Sequence, residues 1–318
     1  MRRLILLGVL VLVGCDSFGG GTRTESHRAA PSSGNDLVLI GEFDNREQVQ
    51  TSATSVAVPH VRETLRLAEN DRNGHLWMWR LQSGEGAATV ESVWLYRVAT
   101  LDNGNRYTFT PYRALDDAAR ASLVAGKDFK FDDKQWAELT PCTLSGERKN
   151  GKLVAAADTG ACSALLPGLG ATAALLPLKL SFDGDTLNTV TFADQARGAE
   201  ASIDARRIRF FTGWSAINGG GPKMRPENKD WHPRQDLRAS SEGGRVPIRW
   251  RDGAASGYSI ELVRRTYAER KLSVLQLNVI EDATGQTIDY AWADPSTSII
   301  GINLGWLQVG LTAENAAR

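Results

Sequence analysis

The chain has 318 residues, 42% of them hydrophobic, and its 37 Lys and Arg balance 37 Asp and Glu. Balanced charge without a basic stripe excludes an electrostatic nucleic-acid surface. The four histidines (His27, His60, His75, His232) are scattered, and none lies within a few residues of Cys142 or Cys162, so no metal site is expected.

The first fifteen residues read MRRLILLGVLVLVGC. Arg2 and Arg3 form a basic start, and Leu4 to Val13 is an apolar run too short to span a bilayer comfortably. The run ends in Leu12-Val13-Gly14-Cys15, which resembles the bacterial lipobox. Residues 1–14 are therefore expected to be a lipoprotein signal peptide. Cys15 becomes the acylated first residue, with several acyl chains holding it to a membrane. Residues 15–36 are Gly/Ser-rich and polar and read as a tether. The expected location is the cell envelope, facing the periplasm, with inner and outer membrane both open.

That compartment is oxidising. With Cys15 consumed by lipid, Cys142 and Cys162 remain as an even pair. A structural disulfide across the 20-residue separation is expected, contributing roughly 3 kcal/mol through the unfolded chain. A free thiol that attacks or holds a ligand is the alternative.

Along the rest of the chain, residues 61–70 (VRETLRLAEN) are helix-like. The runs 75–81, 89–98 and 106–112 are rich in β-branched and aromatic residues and read as strands. LDNGN at 101–105 places Asn-Gly between two of them, a tight-hairpin signal. Residues 114–125 read as a short helix stopped by Gly126. Short strands follow over 136–140, 142–145, 152–156, 175–182, 187–192 and 206–211. This density of strands and turns suggests a barrel or sandwich. Residues 217–244 read as a long loop or linker. Residues 245–318 carry further strands (245–250, 258–264, 271–280, 287–291 and 299–309), either as a second β unit or as additions to the first.

No nucleophile elbow, P-loop, zinc-protease helix or dinucleotide-binding glycine fingerprint appears. The aromatics carry more information. Trp77 and Trp79 share one strand face by the two-residue period, as do Trp94 and Tyr96, and Tyr107 and Phe109. Two such pairs could line one cavity for a flat or greasy ligand, with Arg80, Arg97 and Arg106 near the wall as carboxylate partners. A filled aromatic core with arginines extending outward is the competing reading.

The order of several short motifs resembles the CpeT/CpcT family of phycobiliprotein chromophore lyases. Gly41–Gln48 (GEFDNREQ) is similar to its Phe-x-Asn-x-x-Gln opening, and His60 to a histidine after a Pro-rich lead. Trp94–Val98 (WLYRV) occupies the place of its Tyr-Arg-x-Arg-Val strand, with Arg97 at the second Arg. Pro141-Cys142 and Cys162 resemble its two cysteines, Asp194–Gly198 (including Arg197) its Asp-Arg-Gly segment, and RFFTGW its closing strand. The resemblance covers 41–214. It implies a mainly β fold, a lipocalin-like antiparallel β-barrel of about ten strands. That barrel would occupy 37–216, with an additional C-terminal β-rich segment at 245–318. It further implies a cavity for an open-chain tetrapyrrole presented to a cysteine of an acceptor protein.

The expected ligand-binding residues are Trp77, Trp79, Trp94, Tyr96, Arg97, Tyr107, Asp194 and Arg197. Residue chemistry suggests propionate contact for Arg97, stacking for Tyr96 and pyrrole-nitrogen contact for Asp194. Three functions are carried forward. The first is a membrane-anchored carrier of an apolar, tetrapyrrole (bilin) or lipid ligand, the second a chromophore lyase, and the third a structural or assembly lipoprotein of the envelope.

Overall fold

The two-residue alternation of the aromatic runs is carried by long antiparallel strands that close on themselves. The computed structural model describes residues 39–318 except 53–57, 72–73, 85–88, 103–104, 166, 170–174, 195–198, 268–271 and 315–318. It leaves aside the side chains of 70–71, 74, 192–194 and 199–200. The signal peptide, Cys15 and the whole tether (15–36) lie outside the described residues.

Eleven strands form the first sheet: β1 (Gly41–Asp44), β2 (Val61–Asp71), β3 (Gly74–Ser83), β4 (Val90–Leu101), β5 (Arg106–Ala114), β6 (Trp136–Glu138), β7 (Leu144–Lys149), β8 (Lys152–Ala156), β9 (Lys179–Phe182), β10 (Thr186–Asp194) and β11 (Ala199–Arg207). Their order is β4-β3-β2-β1-β11-β10-β9-β8-β7-β5-β6, and β4 also pairs with β5. That last pairing closes a ten-stranded antiparallel barrel, with β6 attached outside along β5. Closure removes the exposed edges an open sheet would present.

Alternate side chains sort to the two sides of the wall. Trp77, Trp79 and Leu81 of β3, Trp94, Tyr96 and Val98 of β4, and Tyr107 and Phe109 of β5 are buried in the barrel core. Their neighbours Leu76, Met78, Val93, Leu95 and Tyr112 point outward into a second cluster. A helix, α2 (Asp117–Ala125), covers that outer cluster with Ala119 and Leu123, helped by Phe129 and Trp136. It follows the short α1 (Arg46–Thr51) in chain order. The Asp116 carboxylate caps α2 by accepting from the Ala119 N–H at 2.7 Å. Gly126 ends it at φ 66°, a conformation that costs glycine little. Arg66 donates to the last-turn carbonyls of Leu123 and Val124, a cation where the helix dipole favours one.

Residues 61–70 are a strand, β2, and not the helix their Leu, Ala and Glu content suggests. Val61, Glu63 and Leu65 are all buried. The inward carboxylate masks an otherwise plain alternation. Pairing to β1 and β3 overrides the modest helix propensity.

Past the barrel, eight strands form two four-stranded sheets packed face to face. One holds β12 (Phe210–Asn218), β13 (Trp231–Ser240), β18 (Ile299–Asn303) and β19 (Leu307–Ala313) in the order β13-β12-β19-β18. The other holds β14 (Glu242–Arg249), β15 (Ala255–Tyr267), β16 (Leu272–Glu281) and β17 (Thr287–Ala293) in sequence order. Phe211, Ile248, Ile260, Leu262, Leu277, Val279, Leu307 and Leu311 fill the space between them.

The expected boundaries shift accordingly. The barrel ends at Arg207 and not at 216. The run 206–211 splits at 208–209, and Phe211 enters the sandwich core. Residues 217–244 are not a simple linker, because β13 lies inside them. Its only fully buried apolar side chains are Leu237 and Ala239, so its composition reads as loop. The single strand expected at 299–309 is a hairpin turning at Gly305, φ 84°.

Barrel and sandwich meet through buried charges. Glu242 is 2% exposed. It accepts from Arg206 of β11 at 2.7 Å and from Arg264 of β15 at 3.1 Å. Arg264 also reaches Asp185 at 2.8 Å, and Arg206 pairs with Glu47 of α1.

Candidate functional site

The barrel interior is the candidate site. Its centre is Glu63, which β2 carries at an inward position with no exposed surface. The Trp79 indole Nε1 of β3 donates to its Oε2 at 2.8 Å. The Thr189 hydroxyl of β10 donates to its Oε1 at 3.0 Å. Burial disfavours the charged carboxylate more than these two hydrogen bonds favour it, so the group is pushed up from 4.5 to about 7. Glu63 therefore exchanges a proton near neutrality and can donate as well as accept.

Two polar atoms of the interior have no hydrogen-bond partner among the described residues. They are the Trp94 indole Nε1 and the Tyr96 hydroxyl, on residues 2% and 1% exposed. Cross-strand pairing sets Trp94 opposite Trp79 and Tyr96 opposite Trp77. The Tyr96 ring lies 5.4 Å from that of Trp79. Burial, and then the nearby Glu63 charge, push the phenol well above its ordinary range. An orphaned buried donor costs about 1–3 kcal/mol, so two in an interior that also buries a carboxyl mark a place where polar partners belong. Around them Trp77 and Phe109 meet edge to face at 6.3 Å, and Tyr107 stacks on Phe109 at 6.4 Å.

The disulfide lies at one end of the barrel. Cys142 and Cys162 are bonded, with Cα atoms 4.6 Å apart. The bond joins the turn before β7 to α3 (Thr159–Ser163), which follows β8. Because β7 and β8 form a hairpin, both cysteines lie at the same end. Leu175, Leu176 and Leu178 are buried there with them, and Leu165 and Leu169 pack alongside.

The interior thus brings together Trp77, Trp79, Trp94, Tyr96 and Tyr107. All three aromatic strand pairs face inward, one more than the cavity reading asked for. Arg97 is not among them. It follows Tyr96 on β4 and must point the other way. Its Nη1 donates to the Tyr112 hydroxyl at 2.8 Å, and that hydroxyl donates to Glu138 at 2.8 Å. Its guanidinium lies over the Tyr112 and Phe131 rings at 5.2 and 5.3 Å. Arg80 and Arg106 are also outside, paired with Glu91 and Asp102.

Asp194 ends β10, with its side chain outside the described residues, as is the whole of Arg197. His60 opens β2's approach, its Nε2 2.8 Å from Asp44 Oδ1. Glu63 and Thr189 were missed from the sequence. The signal for Glu63 was there, an acid in the inward slot of Val61-x-Glu63-x-Leu65, but only once 61–70 is read as a strand. Among the described residues no cluster of three or more His, Cys, Asp or Glu side chains could hold a metal ion. Comparison with known proteins finds no family model, no curated protein and no solved structure that matches this chain.

Proposed function

We propose that the protein is a lipid-anchored envelope protein whose barrel binds a small, largely apolar molecule bearing hydrogen-bonding groups. The observation that carries this reading is the pair of orphaned donors, Trp94 Nε1 and Tyr96 hydroxyl, in an aromatic interior that also buries Glu63. A ligand carbonyl or carboxyl would accept from the two donors. A ligand N–H or hydroxyl would face Glu63. The aromatic rings would supply the apolar contact. The lipobox-like leader supports the anchor, and the sequence resemblance to chromophore lyases supports a tetrapyrrole as one ligand to try.

A lyase in that sense would act by holding the chromophore for attack by an acceptor thiol. The outward side chain of Arg97 takes it off the list of groups offered to a ligand inside.

Substituting Tyr96 by Phe tests the binding reading. The change removes a buried polar atom that has no partner among the described residues. Without ligand the protein should become more stable by about 1 kcal/mol while affinity falls by about tenfold. Urea unfolding measures the first. Titration with biliverdin, haem and a long-chain fatty acid, followed by absorbance and tryptophan fluorescence, measures the second. Loss of stability, together with no binding across that panel, would sink the proposal.

A further inference from the structure

The sandwich holds a concave site at one end of the seam between its two sheets. It is an open cleft of about 480 Å³. One sheet contributes Tyr258 of β15, Glu281 of β16, and Ile288 and Asp289 of β17. The other contributes Asn303 of β18 and Trp306 from the turn before β19.

The Tyr258 and Trp306 rings meet at 4.7 Å and 57°, making an aromatic corner. The charge around that corner has one sign. Glu281 and Asp289 line the cleft, and no Lys or Arg does among the described residues. Glu281 accepts from the Thr284 hydroxyl at 2.8 Å, and Asp289 from the Tyr290 N–H at 2.7 Å. Neither carboxylate makes an ion pair among the described residues, so each keeps lone pairs to offer. The Asn303 side-chain oxygen accepts from Gly305 N–H at 2.9 Å. Glu281 lies near enough to the Tyr258 phenol that its charge, after burial, raises that group's pKa. Aromatic faces are electron-rich and attract cations most when the cation is weakly hydrated. Two carboxylates at the rim add long-range attraction of the same sense.

We infer that this cleft is a binding site for a small organic cation of the alkylammonium type, separate from the barrel interior and independent of what the barrel holds. The cation sits in the Tyr258–Trp306 corner with Glu281 and Asp289 as its counter-charges.

The test compares choline with 3,3-dimethylbutan-1-ol, its uncharged isostere, on the full-length protein in detergent. Isothermal titration and saturation-transfer NMR on the ligand methyl groups give the affinities. Choline should bind saturably and at least about tenfold more tightly than the alcohol, a difference of the size a desolvated cation–π contact supplies. Glu281→Gln and Asp289→Asn are both isosteric and lie at the rim, where folding should tolerate them. Each should weaken choline by several-fold and leave the alcohol unchanged. A Tyr96→Phe protein, altered only in the barrel, should bind choline as the parent does. Equal affinity for choline and the alcohol, no saturable choline signal, or indifference to both rim substitutions would overturn the inference.

Discussion

Glu63 concentrates the chemistry of the barrel in one carboxyl. Its pKa of about 7 in the folded chain stands above the ordinary 4.5. Between those values the folded protein holds a proton that the unfolded chain releases. Stability from this group is therefore complete below about pH 4.5 and is lost as pH rises through about 7. The loss is about 3 kcal/mol, at 1.36 kcal/mol per pKa unit. Glu63→Gln keeps the shape and the acceptor for Trp79 but cannot ionise. Urea midpoints measured from pH 4.5 to 8 should fall less steeply for the variant than for the parent. Parallel curves would show that Glu63 does not titrate in this window. Burial also pushes Glu242 up to about 7 against the pull of Arg206 and Arg264. The difference between the two proteins is thus the informative quantity. At this scale the sequence was partly legible. Period-two spacing put six aromatic side chains on the inner face. The same period placed Arg97 opposite Tyr96, and the rule had only to be applied to it. Glu63 was hidden because acids are rare inside a barrel wall and a strand is recognised by its apolar alternation.

Strands and their joins respond to different changes. The Cys142–Cys162 bond ties the lead-in of β7 to α3. Cys142→Ala with Cys162→Ala should cost roughly 3 kcal/mol by the loop-entropy argument. Hydrogen exchange should locate the loosening at β7, β8 and α3 before it reaches the far strands. In the sandwich, β12 and β19 approach so closely that a Cβ at Gly213 would lie 1.9 Å from the Gly310 carbonyl oxygen. Gly213→Ala must push these two backbones apart and should lower stability by about 2 kcal/mol in thermal or urea unfolding. The Asn-Gly turn signal made one hairpin visible in advance, the one that pairs Leu101 with Arg106. The strand β13 was invisible for a physical reason. Among the described residues it pairs only with β12, at the sheet's edge, and it buries just two small or medium apolar side chains.

For the molecule as a whole, the joint between barrel and sandwich is ionic and buried. Arg206→Ala would leave Glu242 with Arg264 as its remaining guanidinium, and should destabilise by about 3 kcal/mol. Adding Glu242→Gln should recover part of that loss, because it removes the under-compensated charge. Urea unfolding of the two single variants and the double variant measures the coupling. The expected barrel of about ten strands describes the architecture up to β11, but composition alone could not say that 208–209 is where one core ends and the next begins. The strand order has a consequence for how the chain is made. All ten barrel strands are complete once residue 207 has been synthesised. β12 must wait for β19, which begins at residue 307. A chain emerging N-terminus first could close its barrel while Phe211 still lacks the strands that cover it. The sandwich would then assemble last, around a β12 held in reserve through the translation of its remaining partners.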